Sequence, residues 1–337
     1  ELTYRQMFQK WDHYAEAFSA IGITGKNHSR VMLKGTPSME VICAMYALNM
    51  TGATVSLIRD QASDAVRFRV LAEREKITDV IIPDIGLTRK QISMLKKEQQ
   101  ALGIRNIIVL HIPRIGWTEP FWGERDTLEK YREIKKTPGL LFMDDLLRKY
   151  EATPISYSDE QPGDAIIIHT SGTTTGKRKS VPVSDRGLNE TARRMLVDPQ
   201  FSELRYNGSS CLFMELSIAY SMYDMLNLPL AFGGKVTVLP YAADDEMKIA
   251  EALMHYKPNI VFTLPPFLRM LSEMPMRPNL SFVELVFIGG GYVSPDAKKT
   301  FDKYLEECKA KAKCTIGYGN SEAGAAVILS TPDREIS

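Results

Sequence analysis

Residues 164–185 read DAIIIHTSGTTTGKRKSVPVSD, an apolar run that ends in a loop of small hydroxyl residues, two glycines and three consecutive cations. The run 166–168 predicts a buried strand. Gly172 and Gly176 allow the backbone to turn its N–H groups inward, and Ser171, Thr173, Thr174 and Thr175 add hydroxyl donors. Lys177, Arg178 and Lys179 then bring positive charge. This is the chemistry of a loop that holds phosphate, although a surface hairpin with solvated cations has the same composition.

A Walker A loop needs four residues between its glycines, then Lys and Ser or Thr, and it opens a helix. Here Gly172 and Gly176 enclose three residues, Arg178 follows Lys177, and 180–183 predict a second strand. The arrangement is strand, loop, strand. Two further stretches carry chemistry in a fixed order downstream. Residues 287–293, FIGGGYV, predict a strand that ends in three glycines, and 317–322 read GYGNSE. A flat ring such as Tyr318 binds a base by stacking, a hydroxyl such as Ser321 donates to a phosphate oxygen, and a carboxylate such as Glu322 suits Mg²⁺ beside ligand phosphates. Taken singly, Tyr318 reads more readily as a half-buried core ring and Glu322 as a solvated turn acid; their order after the loop reverses that preference.

From Ser171 onward the loop resembles S-G-T-T-G-x-P-K-G, the phosphate-loop signature of the adenylate-forming (ANL) superfamily, which includes acyl-CoA synthetases, amino-acid adenylation domains and firefly luciferase. GYGNSE is similar to that family's Y-G-x-T-E. This chain departs from the pattern: Thr175 is one extra residue, Arg178 stands where the family has Pro, and Ser180 where it has Gly. Losing the fixed φ of Pro and the freedom of Gly changes the stiffness of the loop.

The resemblance implies an ATP-dependent ligase. The carboxylate of an acid attacks the α-phosphate, pyrophosphate leaves, and a thiol of CoA or of a carrier protein takes the acyl group from AMP. Thr170, Ser171, Gly172, Thr173, Thr174, Thr175, Gly176 and Lys179 would steady the outer phosphates, with Thr170 and Glu322 in catalytic roles. Gly289, Gly290 and Gly291 would lie beside the adenine and the acyl group. Tyr318, Gly319, Asn320 and Ser321 would hold AMP, and Glu322 would help to hold Mg²⁺. The segment from Ala219, AYSMYDMLNLPLAFGGKVTVL, resembles the pocket helix and following strand of acyl- and aryl-CoA ligases. It places Ala219 and Tyr220, with Gly290, against the acid, whereas Tyr223 and 225–228 line an apolar tail or pack on the sheet. Met214 to Ser217, MELS, is a loose echo of the F-D-x-S amine grip of amino-acid adenylation domains, but the helix after it is longer than theirs. An acid without an amine is therefore expected, with fatty acid metabolism as the setting. Amino-acid adenylation, transfer to a carrier protein, or nucleotide binding without catalysis remain alternatives.

The expected fold class is α/β, in the manner of the family's large N-terminal domain, with mostly parallel sheets wrapped by helices. Helical spacing over 7–18 precedes strands at 30–33, 54–58, 80–82 and 106–110, with helices at 39–50 and 64–76. Residues 112–138 break the rhythm and read as a surface excursion, and 151–162 as a linker. A second series follows, with strands at 212–213, 236–239, 260–263 and 285–288 and helices at 219–232, 245–256, 266–273 and 295–311. The expected division is 1–163 and 164–337. The family continues to a ribose-binding Asp and a small domain with a catalytic Lys, so the chain is expected to be an N-terminal portion and a poor catalyst alone.

Charge is balanced, 42 basic against 41 acidic residues, which gives no reason to expect a nucleic acid partner. No apolar run approaches the ~20 residues that span a bilayer. Cys43, Cys211, Cys308 and Cys314 form no CxxC pair, and His13, His28, His111, His169 and His255 lack ligand spacing. Unpatterned cysteines of this kind read as core residues in a reducing, cytoplasmic setting. His169, at the end of the strand before the loop, reads more readily as a ring satisfied by backbone than as one facing a nucleotide.

Overall fold

The computed structural model describes residues 1–59, 64–113, 128–157, 163–170, 179–197, 208–239, 246–273, 275, 277–323 and 325–330. The chain folds into two compact units, Glu1–Arg186 and Gly187–Ser337.

The first unit is built on a seven-stranded sheet, in the order β5-β4-β3-β1-β2-β6-β7. Its strands are β1 (Arg30–Lys34), β2 (Thr54–Ile58), β3 (Asp79–Pro83), β4 (Asn106–Leu110), β5 (Leu141–Phe142), β6 (Asp164–His169) and β7 (Ser180–Ser184). All neighbours are parallel except β6 and β7. Strands of a parallel sheet are covered on both faces, which is why β3 and β6 read as nearly unbroken apolar runs. The covering helices are α1 (Tyr4–Ala20), α2 (Met39–Met50), α3 (Ala65–Glu75), α4 (Arg89–Leu102), α5 (Leu128–Lys135) and α6 (Met143–Lys149).

Helix starts follow local chemistry. Thr3 with Gln6 and Thr88 with Gln91 form capping boxes, and Ser38 and Asp64 cap α2 and α3. At its other end α3 stops at Lys76, which takes φ 54°, leaving Glu75 in the last turn, turned to the sheet. The core between helices and sheet gathers Met32, Phe68, Val80, Ile92 and Ile107. Burying a side chain of this size is worth about 1.5–3 kcal/mol.

Two expectations change here. The hairpin of β6 and β7 belongs to the first unit rather than to the second, because Val55 and Ser56 pair with Ile166 and Ile167 and extend the sheet. The stretch 112–138 is not wholly a surface excursion. Its end, α5, buries Tyr131 and Ile134; Tyr131 stacks on His111 with centroids 4.1 Å apart and donates its hydroxyl to Asp144 Oδ1 at 2.6 Å. Trp117, Pro120 and Trp122 lie outside the described residues.

In the second unit β8 (Ser209–Leu212) pairs in parallel with β9 (Lys235–Val238). A four-stranded sheet runs β10 (Ile260–Thr263), β11 (Leu285–Ile288), β12 (Cys314–Asn320) and β13 (Ala325–Leu329), parallel as far as β12 and antiparallel at β13. Helix α7 (Asp185–Val197) starts at the end of the first unit; α8 (Leu228–Ala231), α9 (Glu246–Tyr256), α10 (Pro265–Glu273) and α11 (Pro295–Glu307) follow. Two prolines open α10, where the absent N–H costs nothing.

The helix expected over 219–232 is not a uniform α-helix. Ser221–Asn227 is a π-helical turn that leads into α8, and the N–H of Leu228 reaches back to the carbonyl of Tyr223. Pro229 explains it: proline has no N–H for the carbonyl four residues earlier and its ring collides with it, so the preceding turn widens. All four cysteines are buried and free. No described helix is long and apolar enough to cross a membrane.

Candidate functional site

The ends of the phosphate-type loop lie side by side in the first unit. His169 and Ser180 are paired across β6 and β7. One residue further, the N–H of Thr170 donates to the carbonyl of Lys179 at 3.0 Å, and the N–H of Lys179 donates to Thr170 Oγ1 at 3.0 Å. Thr170 and Lys179 thus close the stem. Ser171, Gly172, Thr173, Thr174, Thr175 and Gly176, with Lys177 and Arg178, lie outside the described residues.

Beneath the stem sits a carboxylate that sequence reasoning missed. Glu75 is 4% exposed. Its Oε1 accepts from Ser180 Oγ at 2.5 Å and lies 2.8 Å from His169 Nε2, and its Oε2 accepts from Ser56 Oγ at 2.6 Å. Burial pushes the Glu75 carboxyl up, but the hydrogen bond and charge of His169, with the two serine hydroxyls, outweigh it and hold it below the ordinary value. His169 Nδ1 lies 2.9 Å from the carbonyl of Leu57, so the expected backbone partner is present and the carboxylate partner is an addition. Nothing in the sequence marks Glu75, which reads as one more acid in the last turn of an amphipathic helix.

In the second unit, the other site residues collect at the C-terminal ends of parallel strands, the usual ligand edge of an open α/β sheet. Gly289, Gly290 and Gly291 follow β11, and the C-terminal half of β12 carries Gly317, Tyr318, Gly319 and Asn320. Ile288 pairs with Ile316, so the glycine turn leaves β11 where β12 continues towards Tyr318. The Tyr318 ring is 64% exposed, an uncommon state for a large ring and suited to stacking. Ser321 and Glu322 begin a 3₁₀ turn whose geometry is fixed by Asn320 Oδ1, the acceptor of the Ala323 N–H at 2.8 Å. The turn connects to β13, an antiparallel return that the motif did not predict.

Among the described residues no three His, Cys, Asp or Glu side chains cluster to cage a metal. Glu322 is an exposed single carboxylate. That donor set suits Mg²⁺ taken up with a nucleotide, since Mg²⁺ is commonly held by one or two carboxylates together with phosphate oxygens and water.

The glycine turn is shaped by close packing. Gly290 takes φ +70°, and a Cβ on Gly289 would stand 2.6 Å from Tyr220 Cε2. The Tyr220 hydroxyl donates to the carbonyl of Phe287 at 3.2 Å, so the ring is held against the strand end. Gly289→Ala is therefore expected to displace Tyr220 and to destabilise the second unit by about 1–3 kcal/mol. Adding Tyr220→Leu should recover most of that loss in thermal melts; equal losses in single and double variants would show that the ring does not set the constraint.

The expected acid-pocket segment divides. Ala219 is 8% exposed and Tyr220 is half-buried against Gly289, while Tyr223, Met225, Leu226 and Leu228 are 2% exposed or less and belong to the interior. Within the π-helical turn Asp224 is also buried, and its Oδ2 has no hydrogen-bond partner among the described residues. Burial pushes its carboxyl up to about 8. The neighbouring Tyr223 hydroxyl likewise has no partner there, and burial, then the Asp224 charge, raise it to about 12.

Residues 1–337 match the family model described as AMP-binding enzyme. Among solved structures, the chain is similar to the anthranilate CoA ligase AuaEII in complex with anthranoyl-AMP: 15% identity, 99% of this chain, 56% of that one, TM-score 0.76. It is similar to a long-chain-fatty-acid-CoA ligase from Archaeoglobus fulgidus at 16% identity, 97% of this chain, 59% of that one and TM-score 0.73. A natural red emitting luciferase from Phrixothrix hirtus gives 18% identity, 97%, 57% and 0.73. The chain thus spans less than two thirds of the length of these structures. No curated protein matches the sequence. The structural likeness establishes the fold, and the match along all 337 residues establishes the lineage: the chain belongs to the AMP-binding enzymes, with the N-terminal-domain fold of the adenylate-forming superfamily.

Proposed function

We propose that this protein activates a carboxylic acid with ATP, forming an acyl-adenylate and pyrophosphate, and then passes the acyl group to the thiol of CoA. The observation that carries the reading is that the glycine turn 289–291 follows β11 and that Tyr318, in the neighbouring parallel strand β12, leads into the turn at Ser321 and Glu322, with Tyr318 64% exposed. Tyr318 stacks on adenine, and Gly289 to Gly291 let the nucleotide and the acyl group approach the backbone closely. Ser321 donates to the α-phosphate. Glu322 holds Mg²⁺, which when bound supplies positive charge against the phosphates. Thr170, Lys179 and the loop between them hold the outer phosphates with hydroxyls, N–H groups and cationic charge. The work of these residues is orientation and electrostatic stabilisation, with no protein nucleophile. Ala219 and Tyr220 face the acid, which is apolar and without an amine. Four buried, free cysteines are in keeping with a cytoplasmic setting.

The test is carboxylate-dependent exchange of labelled pyrophosphate into ATP, run with the protein at its full natural length across fatty, aryl and amino acids. Exchange with at least one acid, and AMP rather than ADP as product, is the expected result. ADP formation would assign a phosphotransferase, and ATP binding with no exchange for any acid a nucleotide-binding module.

A further inference from the structure

The buried network under the loop stem has no part in the chemistry above, and it meets the chain at one of the positions where its sequence departs from the family motif. Ser180 replaces glycine there, and its hydroxyl is spent on Glu75 Oε1. On the opposite strand His169, its side chain 5% exposed, reaches the same oxygen. Both ring nitrogens of His169 face oxygen atoms, Leu57 O and Glu75 Oε1. Glu75 therefore ties the last residue of β6 and the first residue of β7 to α3, directly below the hydrogen bonds of Thr170 and Lys179 that close the loop.

We propose that Glu75 is a positioning residue for the triphosphate site, holding Thr170 and Lys179 in place for the outer phosphates through His169 and Ser180. A glycine at 180 leaves the β7 side of the stem without a tie to Glu75; the serine anchors that side to the buried carboxylate as His169 anchors the other. Preorganisation of this kind raises affinity by reducing the ordering cost of binding. The proposal rests on the reading of the loop as the triphosphate site, and it names a residue outside that loop which sets its affinity.

The test compares the natural chain with Glu75→Gln and Ser180→Ala. Two quantities are read: amide hydrogen exchange at Thr170 and Lys179, with Ile81 as the remote reference, and calorimetric binding of ATP and of AMP. Both variants are expected to speed exchange at Thr170 and Lys179 about tenfold with Ile81 unchanged, and to weaken ATP about tenfold with AMP within twofold, since only ATP carries the outer phosphates. Ser180→Ala removes one hydroxyl from a half-buried strand end, so it carries the test if the buried change at Glu75 prevents folding. If the natural chain binds ATP and the variants match it in exchange and affinity, Glu75 has no positioning role. Equal losses for ATP and AMP would reduce it to a structural contact and overturn the proposal as well. Failure of the natural chain to bind either nucleotide would instead overturn the assignment of the loop, and this proposal with it.

Discussion

Asp224→Asn is expected to stabilise the second unit at neutral and alkaline pH, and to lose that advantage in acid. Asp224 sits in the π-helical turn, buried, with a carboxyl raised from 3.8 to about 8 by the loss of water around it. In the unfolded chain the same group ionises near its ordinary value. Between those two values the unfolded state is ionised and the folded state must keep the proton, so stability falls as pH rises through the window and levels off above it. One pKa unit corresponds to ~1.4 kcal/mol, so a shift of this size costs several kcal/mol at pH 8 and almost nothing at pH 3. Asparagine keeps the shape without the charge; its own buried amide costs about 1–3 kcal/mol, less than the ionisation it removes. Denaturant unfolding followed at pH 4, 6 and 8 should give a variant advantage that grows with pH. A difference that stays flat would mean that Asp224 meets water or a cation and that its burial costs nothing.

Glu322→Gln is expected to slow acyl-adenylate formation by about a hundredfold or more, the usual effect of removing one preorganised electrostatic group at a transition state. The substitution keeps the size of the side chain, and because Glu322 is exposed at the start of a 3₁₀ turn held by Asn320, it should leave the fold and its melting temperature unchanged. The amide is a poor ligand for a hard cation, so the Mg²⁺ concentration needed for half-maximal rate should rise. On the proposed reading AMP rests on the Tyr318 ring and the glycine turn, so its binding should be nearly preserved. An unchanged Mg²⁺ titration would remove Glu322 from the metal site.

Two helices that escaped the sequence reading, α4 and α5, did so for a common reason. In α4 the inward positions are Ile92, Leu95 and Glu98. Glu98 is 3% exposed because both its oxygens accept from the Arg69 guanidinium of α3, at 2.8 and 2.9 Å. An acid in a core position breaks the apolar periodicity, and only the packed arrangement supplies the cation that makes its burial tolerable. In α5 two apolar residues, Tyr131 and Ile134, stand among charged neighbours, too few to establish a period. Tyr131 becomes a core residue because His111, from the end of β4, provides a stacking surface. The width of the turn before Pro229 was legible in principle, since the proline carries the cause in its own ring.

By itself the sequence determined the strand-loop-strand at 164–185, most strands and helices of both series, and the order of the loop, the glycine turn and GYGNSE. Those features are local: apolar runs, caps, glycines and prolines act on the backbone within a few residues. Tertiary structure alone decided that β6 and β7 complete the first sheet, that the strand leading into the glycine turn pairs with the strand that carries Tyr318, and that Tyr220 covers Gly289. It also decided that Glu75 stands under Ser180, 105 residues away in the chain. These depend on which strand pairs with which, a choice made by burying two faces of a sheet at once, and no window of sequence contains both partners.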